Sequence, residues 1–223
     1  MPAIDNTLGA QVLAHLRQQL ITGLLAPGDR LSLRTLAERR GVSMQPVRDA
    51  VARLVAERAL EVTPKRSVQV PLMSAPQFRE LTAIRQGIEG FAAEQAARRR
   101  GGPEAATLRR HAAAFRRESR RRAPDIDAAI VANASLHFAV YRAAGMPALT
   151  AIIEGLWLRI GPVLNLDLRD GAGRLAGGTA MRCHDAMVDA IERGDAPAAR
   201  KALLEDIGST ADFIEARGVL PPR

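Results

Sequence analysis

The sequence of 223 residues predicts a mainly α-helical protein with two domains. Apolar residues recur at helical spacing over most of the chain, and Pro, Gly and Asp punctuate the helical segments. A basic stretch near residue 65 has a short strand-like run on each side. The pattern changes from mixed to all-helical near residues 71–75, which predicts a first domain at 1–72 and a second at 73–223.

The first half contains three predicted helices and a hairpin. The helical segments are 8–25, 31–40 and 43–58. Ser43 is placed to cap the third helix. Two β-type runs, 61–62 and 68–70, surround a basic tip, as in a β-hairpin. Three helices followed by a basic hairpin is the order of a winged helix-turn-helix, in which the third helix enters the DNA major groove.

The second half contains six segments of helical periodicity. They are 76–100, 104–122, 125–144, 147–169, 175–193 and 196–216. No convincing strand separates them, which predicts an all-helical bundle. The most apolar long stretch, 148–166, is interrupted by Glu154 and Arg159. We therefore expect a buried bundle helix there and not a membrane span.

Composition points to nucleic acid as a partner and to the cytoplasm as the location. The formal net charge is +8, and the cations are arginines except for Lys65 and Lys201. Such a basic balance favours a polyanionic partner. Cys183 is the single cysteine, which excludes an intrachain disulfide and fits a reducing compartment. The first residues lack the pattern of a signal peptide.

The motifs of both halves resemble the GntR family of bacterial transcription regulators, in its FadR subfamily. The first half carries "LRTLAERRGVSMQPVRDAVARLVAERALEV" and "PKRSVQV". The second half carries "IRQGIEG", "HFAVYRAAGMPAL" and "HDAMVDAIERGDAPAARKAL", which are similar to the FCD effector-binding domain. Six C-terminal helices are closer to its VanR-like branch. The resemblance implies a homodimer on a palindromic operator, acting as a repressor that a small-molecule effector releases.

The resemblance also implies which residues contact DNA. They are Arg34, Ser43, Met44, Gln45, Arg48, Lys65 and Arg66. Arg48 is suited to guanine O6 and N7, and the wing-tip cations are suited to phosphates. Met44 stands where family members usually have arginine, and Ser67 where they usually have glycine. We expect a changed operator at the base pair that Met44 faces. The alternative is that these arginines are ordinary surface charges.

Four polar residues of the second half are candidates for a metal site. Many FCD domains hold a divalent metal with one Asp and three His. In this chain Asn133 falls at the Asp position and Asp206 at the position of the last His, while His137 and His184 are retained. Imidazole with carboxylate suits zinc, nickel or manganese. The alternative is a metal-free pocket in which the same four residues bind the effector directly.

The effector of metal-bearing relatives is typically a small carboxylate. Arg85 and Arg159 are the candidates to neutralise it, although Arg85 can equally pair with Glu89 one turn later. A rival function is a metal-dependent hydrolase in which His137, His184 and Asp206 hold zinc with an open position. No motif places a general base beside those three residues, which weighs against the hydrolase.

Overall fold

The computed structural model describes residues 7–64, 66–99, 104–166, 175 and 177–222. It divides into two compact units. The first comprises Met1–Met73 together with Trp157–Val163, and the second comprises Ser74–Leu156 together with Leu164–Arg223. Lys65 and the end of the predicted helix 147–169 lie outside the described residues.

The first unit combines three helices with a small antiparallel sheet. Its elements are α1 (Leu8–Ile21), β1 (Arg30–Leu31), α2 (Leu33–Arg40), α3 (Met44–Ala56), β2 (Glu61–Val62) and β3 (Val68–Gln69). The strand order is β1-β3-β2. Leu31 of β1 and Val62 of β2 both pair with Val68 of β3. This architecture confirms the predicted winged helix-turn-helix.

Two boundaries in the first unit differ from the sequence prediction. Helix α1 ends at Ile21 instead of 25, because Gly23 adopts a left-handed φ of 62° that turns the chain. The segment from residue 31 begins as strand β1, which the sequence did not predict. Helix α2 starts only after Ser32, whose Oγ accepts a hydrogen bond from Thr35 N at 3.2 Å. A strand of two residues is too short for alternation to reveal it.

The core of the first unit lies between α1 and α3. Leu16 and Leu20 on α1 and Leu54 on α3 are fully buried, because apolar residues three to four apart share one helix face. At the edge of this core Arg17 donates to Glu57 Oε1 at 2.6 Å, which joins α1 to the end of α3. The packing fixes the angle at which α3 presents its other face.

The second unit is built from long helices. They are α4 (Ala75–Arg98), α5 (Glu104–Ser119), α6 (Ile126–Ala143), α7 (Pro147–Leu164), α8 (Thr179–Arg193) and α9 (Ala196–Ala216). Of these, α7 also contributes Trp157–Val163 to the first unit. Helix α4 packs mainly against α9 and also contacts α6 and α8, while α5 packs on α6 and α8. No strand occurs in the described residues of this unit, in agreement with the predicted all-helical bundle. Ser74 closes a capping box with Gln77 at the start of α4.

Arginine side chains on α5 join that helix to α8. Arg109 Nε donates to Glu192 Oε1 at 2.7 Å, and its Nη2 lies 2.6 Å from Asp189 Oδ1. About two turns further along, Arg116 pairs with Asp185. These acidic residues lie on one face of α8 because they are spaced three and four apart. Much of the positive charge of α5 is therefore matched within the bundle.

Helix α7 has the length and composition of a membrane-spanning helix. Its 18 residues have a mean hydropathy of 1.3, and 44% of that window is buried inside the structure. Core helices of folded domains meet the same criterion, and α7 carries both Glu154 and Arg159. Trp157, Leu158 and Ile160 on this helix are buried against protein.

Gly161 of α7 lies against the end of α1 within the first unit. A Cβ at this position would lie 2.5 Å from Leu20 O and 2.8 Å from Ile21 O. These are backbone atoms that cannot rotate away, so any side chain would force the two segments apart. At Gly155, on the same helix, a Cβ would meet no atom within 4 Å.

We expect Gly161→Ala to lower the free energy of unfolding by about 1–3 kcal/mol, because the methyl group clashes with backbone. Gly155→Ala is the matched control and should raise it by about 0.5–1 kcal/mol, since alanine is the better helix former. Urea unfolding followed by circular dichroism measures both. Equal effects of the two substitutions would contradict the close approach at Gly161.

Candidate functional sites

Helix α3 has one buried and one exposed face. Val47, Ala50, Val51 and Leu54 are buried at helical spacing, while Gln45 and Arg48 point outward and are exposed. Ser43 occupies the N-cap position with extended backbone, but its side chain makes no capping hydrogen bond. Ser43 therefore occupies the predicted N-cap position, but its side chain does not form the predicted capping hydrogen bond. Its hydroxyl stays exposed at the helix start.

The polar side chains predicted to read DNA are exposed wherever the structure describes them in the first unit. Gln45 Nε2 donates to Asp49 Oδ1 at 2.8 Å. Arg34 Nε donates to Glu38 Oε1 at 3.0 Å, and its side chain is 87% exposed. Exposed ion pairs of this kind are weak and exchange easily for other partners. Met44, the first residue of α3, is half-buried.

The wing tip is a tight turn between Thr63 and Ser67. Thr63 N donates to Ser67 O at 2.9 Å, and Arg66 N donates to Thr63 O at 2.8 Å. Arg66 takes the left-handed conformation with φ of 59° and is exposed. The positive φ falls on Arg66, so Ser67 keeps an ordinary backbone and its hydroxyl bonds Thr63 Oγ1 at 2.8 Å. Serine is thus accommodated where glycine is usual.

A continuous hydrogen-bonded chain crosses the interior of the second unit. Arg85 Nε donates to Glu89 Oε1 at 2.6 Å, and Arg85 Nη2 donates to Glu89 Oε2 at 3.2 Å. Tyr141 donates its hydroxyl proton to Glu89 Oε2. Tyr141 Oη also lies 3.1 Å from His137 Nδ1. Of the two alternatives for Arg85, the structure contains the ion pair with Glu89.

The chain continues from His137 to the other two predicted ligands. His137 Nε2 lies 3.2 Å from Asp206 Oδ2, and His184 Nε2 lies 3.5 Å from Asp206 Oδ1. The three side chains come from α6, α8 and α9 and are buried. Asp206 Oδ1 and both ring nitrogens of His184 have no hydrogen-bond partner in the described part of the chain. Such orphaned atoms are rare in protein interiors.

The ligand atoms have the spacing that a divalent metal requires. One ligand atom from each of His137, His184 and Asp206 lies within 4.8 Å of the others. Tetrahedral zinc with bonds of about 2.1 Å to nitrogen and oxygen separates neighbouring ligand atoms by about 3.4 Å. The observed separations of 3.2 and 3.5 Å, which end on the two different oxygens of Asp206, are of this size. The residues therefore fit a metal, and His184 Nε2 and Asp206 Oδ1 are orphaned atoms that it would satisfy.

Electrostatics at the centre favours a cation. Burial alone would raise the pKa of Asp206, but the charge of His184 and the hydrogen bond from His137 outweigh it and hold that pKa well below its usual range. Burial opposes the charge of Arg85, and Glu89 restores it and raises the pKa of the guanidinium. One guanidinium thus faces two carboxylates. The one negative charge that the guanidinium leaves unbalanced must be neutralised by a proton or a metal ion.

Two other candidates and the cysteine occupy different surroundings. Asn133 lies one turn before His137 on α6 and is half-buried. Arg159 is exposed on α7, and its role toward an effector stays a prediction. Cys183 is buried, and burial raises the pKa of its thiol to about 12, so it stays protonated. Cys183 packs in the core and does not offer a thiolate ligand.

Sequence reasoning missed the role of Tyr141. It is the single tyrosine of the chain and lies four residues after His137. That spacing places both side chains on one face of a helix. A buried histidine needs a hydrogen-bond partner for its second ring nitrogen. The tyrosine hydroxyl four residues later was the sequence signal for that partner.

Comparison with known proteins gives concordant matches. The chain matches the gntR family of bacterial regulatory proteins over residues 8–70 and the FCD domain over residues 80–209. It is 35% identical over 159 residues to the HTH-type transcriptional regulator McbR of Escherichia coli (strain K12), covering 71% of each chain. It is 37% identical over 87 residues to the HTH-type transcriptional repressor RspR of the same strain, covering 39% of this chain and 38% of the relative.

The fold agrees with solved structures as well. The structure of E. coli McbR/YncC superposes with a TM-score of 0.87 at 29% identity, covering 95% of this chain and 99% of that one. A putative GntR regulator from Rhodococcus sp. RHA1 gives a TM-score of 0.73 at 21% identity, covering 93% and 97% of the two chains, which supports the fold alone.

These relatives are named as transcriptional regulators and not as enzymes, which favours the regulator over the hydrolase alternative. The match over residues 80–209 covers more than half of the 223 residues. The exposed reading face of α3 and the buried polar centre lie in the two matched domains. The chain belongs to the GntR family of transcription regulators, FadR type, with an N-terminal winged helix-turn-helix and a C-terminal FCD domain.

Proposed function

We propose that the chain is a cytoplasmic repressor that binds a palindromic operator as a homodimer and is released by a small carboxylate bound at a metal in the FCD domain. The observation that carries the effector part is the buried cluster of His137, His184 and Asp206 with its orphaned ligand atoms. A dimer with two reading helices matches two half-sites about one helical turn apart.

DNA binding rests on the exposed polar side chains of the first unit. Arg48 lies one turn into α3 on the face opposite the core, and it has no ion-pair partner among the described residues. A free guanidinium at this position can donate two hydrogen bonds to guanine O6 and N7. Arg34 and Arg66 are exposed cations suited to phosphate contacts.

Met44 and Gln45 set the remaining specificity in this proposal. Met44 carries no hydrogen-bond donor, so it offers only apolar contact such as the methyl group of thymine. Gln45 can exchange its exposed contact with Asp49 for an adenine edge, which presents one donor and one acceptor. The operator should therefore lack guanine at the base pair that faces Met44.

We expect Arg48→Ala to weaken specific operator binding by about 1–3 kcal/mol, because it removes a bidentate base contact. The operator is first selected from a random DNA library, and binding is then measured by gel shift at one fixed salt concentration. Arg53→Ala, which removes the same charge from the exposed last turn of α3, is the control. Unchanged affinity in Arg48→Ala, or equal loss in both variants, would rule out base reading by Arg48.

A metal at the buried centre would be held by His137 Nε2, His184 Nε2 and Asp206. In this proposal Asn133, one turn before His137, would offer a neutral carbonyl oxygen in place of the usual carboxylate, and Asp206 supplies the charge from a different helix. This donor set suits zinc, nickel or manganese. The bound ion would act as a Lewis acid that accepts a carboxylate oxygen of the effector.

We expect about one metal ion per chain in untagged protein purified without chelator. Plasma mass spectrometry measures the content, and His184→Ala should lose it because one of two imidazole ligands is removed. His111→Ala is the matched control, since His111 is a half-buried histidine of α5 outside the cluster. Absence of metal from wild type, even after soaking with zinc, nickel and manganese, would leave the alternative of a metal-free effector pocket.

Release of DNA by the effector requires that the ligand bind the DNA-free conformation more tightly. We expect zinc-loaded protein to lose operator affinity when citrate or another compound from a panel of small di- and tricarboxylates is added. A shift of about tenfold corresponds to about 1.4 kcal/mol of coupling. Footprinting that shows tighter operator binding with a carboxylate would identify an activator-type response instead of repression.

A further inference from the structure

We propose that Tyr141 is a positioning residue for the metal site: together with Glu89 it fixes His137 in the tautomer whose Nε2 binds the ion. The inference rests on the proposed metal site and adds a residue that was not among its predicted ligands. Its basis is the buried contact series from Glu89 through Tyr141 to His137.

The direction of each hydrogen bond in the series follows from its ends. Glu89 is a carboxylate and can only accept, because Arg85 pairs with both of its oxygens and keeps it charged. The Tyr141 hydroxyl must therefore donate its proton to Glu89. Its oxygen then offers a lone pair to His137 Nδ1 at 3.1 Å. The proton of the imidazole is consequently held on Nδ1.

This polarity selects the ligand atom. A neutral imidazole with its proton on Nδ1 has a lone pair on Nε2. His137 Nε2 is the atom that faces Asp206 at 3.2 Å; it donates a proton to that carboxylate when no metal is bound, and a metal ion would take the place of that proton. Protein groups that hold the second nitrogen of a metal-binding histidine orient the ring and raise its basicity, and their loss typically weakens metal binding about 10–100-fold.

The two histidines differ in this respect. His137 has a partner on each ring nitrogen. His184 has no hydrogen-bond partner on either nitrogen in the described residues. Its ring is held by an edge contact with Phe115 at a centroid distance of 4.6 Å. Hydrogen bonds therefore orient the ring of His137 and not that of His184, and Tyr141 is the residue that holds Nδ1 of His137.

The test is zinc affinity measured by competition with a chromophoric chelator on the full chain. Tyr141→Phe removes one oxygen atom and keeps the ring, so zinc affinity should fall about 10–100-fold. Phe138→Leu is the control, because Phe138 contacts the Tyr141 ring at a centroid distance of 5.7 Å and has no hydrogen-bonding group of its own. That control should bind zinc within about threefold of wild type, well short of the loss expected for Tyr141→Phe.

A second measurement separates positioning from folding. Nitrogen NMR of labelled histidine in zinc-loaded protein should show the His137 proton on Nδ1 and zinc on Nε2 in wild type, and a mixture of the two arrangements in Tyr141→Phe. Equal zinc affinity in wild type and Tyr141→Phe, or an unchanged tautomer, would overturn the role of Tyr141 and leave the metal site intact. Wild type that binds no zinc would overturn the metal site and this inference together.

Discussion

The organisation of the second unit depends on the burial of two carboxylates with one guanidinium. Glu89 and Asp206 are almost fully enclosed, and a buried charge without partners is too costly to persist. The compensating groups come from α4, α6 and α8, while Asp206 itself lies on α9. Arg85 and Glu89 pair within α4 and are joined to α6 by Tyr141, whereas Asp206 depends on histidines of α6 and α8, so sliding α9 by one turn would leave its charge unpaired. The polar centre thus fixes the relative register of four helices that apolar packing alone would specify less sharply.

The positive charge of the chain has two different roles. Arg109 and Arg116 are matched by acidic residues of α8 and hold the bundle together. Arg48 and Arg66 face outward from the first unit, where a polyanion can meet them. The net charge therefore overstates how many of the arginines can contact DNA. The distinction requires the three-dimensional arrangement, because arginines in both groups occur in similar local sequence.

Much of the fold could be predicted because its signals are local. Helical periodicity and punctuation by Gly and Pro placed most helices correctly, and family motifs placed His137, His184 and Asp206 in one cluster. Strand β1 was missed because two residues carry no periodic signal. Arg159 was predicted near the effector from its charge, yet it is exposed on α7. Tyr141 and Glu89 lie 52 positions apart in the sequence, and their hydrogen bond forms only in the folded chain.

The inclusion of Trp157–Val163 in the first unit has a consequence for how the protein is made. Domains usually fold in order as they leave the ribosome. The winged helix-turn-helix itself is continuous from α1 to β3, and the segment that meets the end of α1 at Gly161 is synthesised some ninety residues after β3. The winged helix-turn-helix can therefore form before this segment has been translated. Nascent chains that stop early would lack the packing at Gly161.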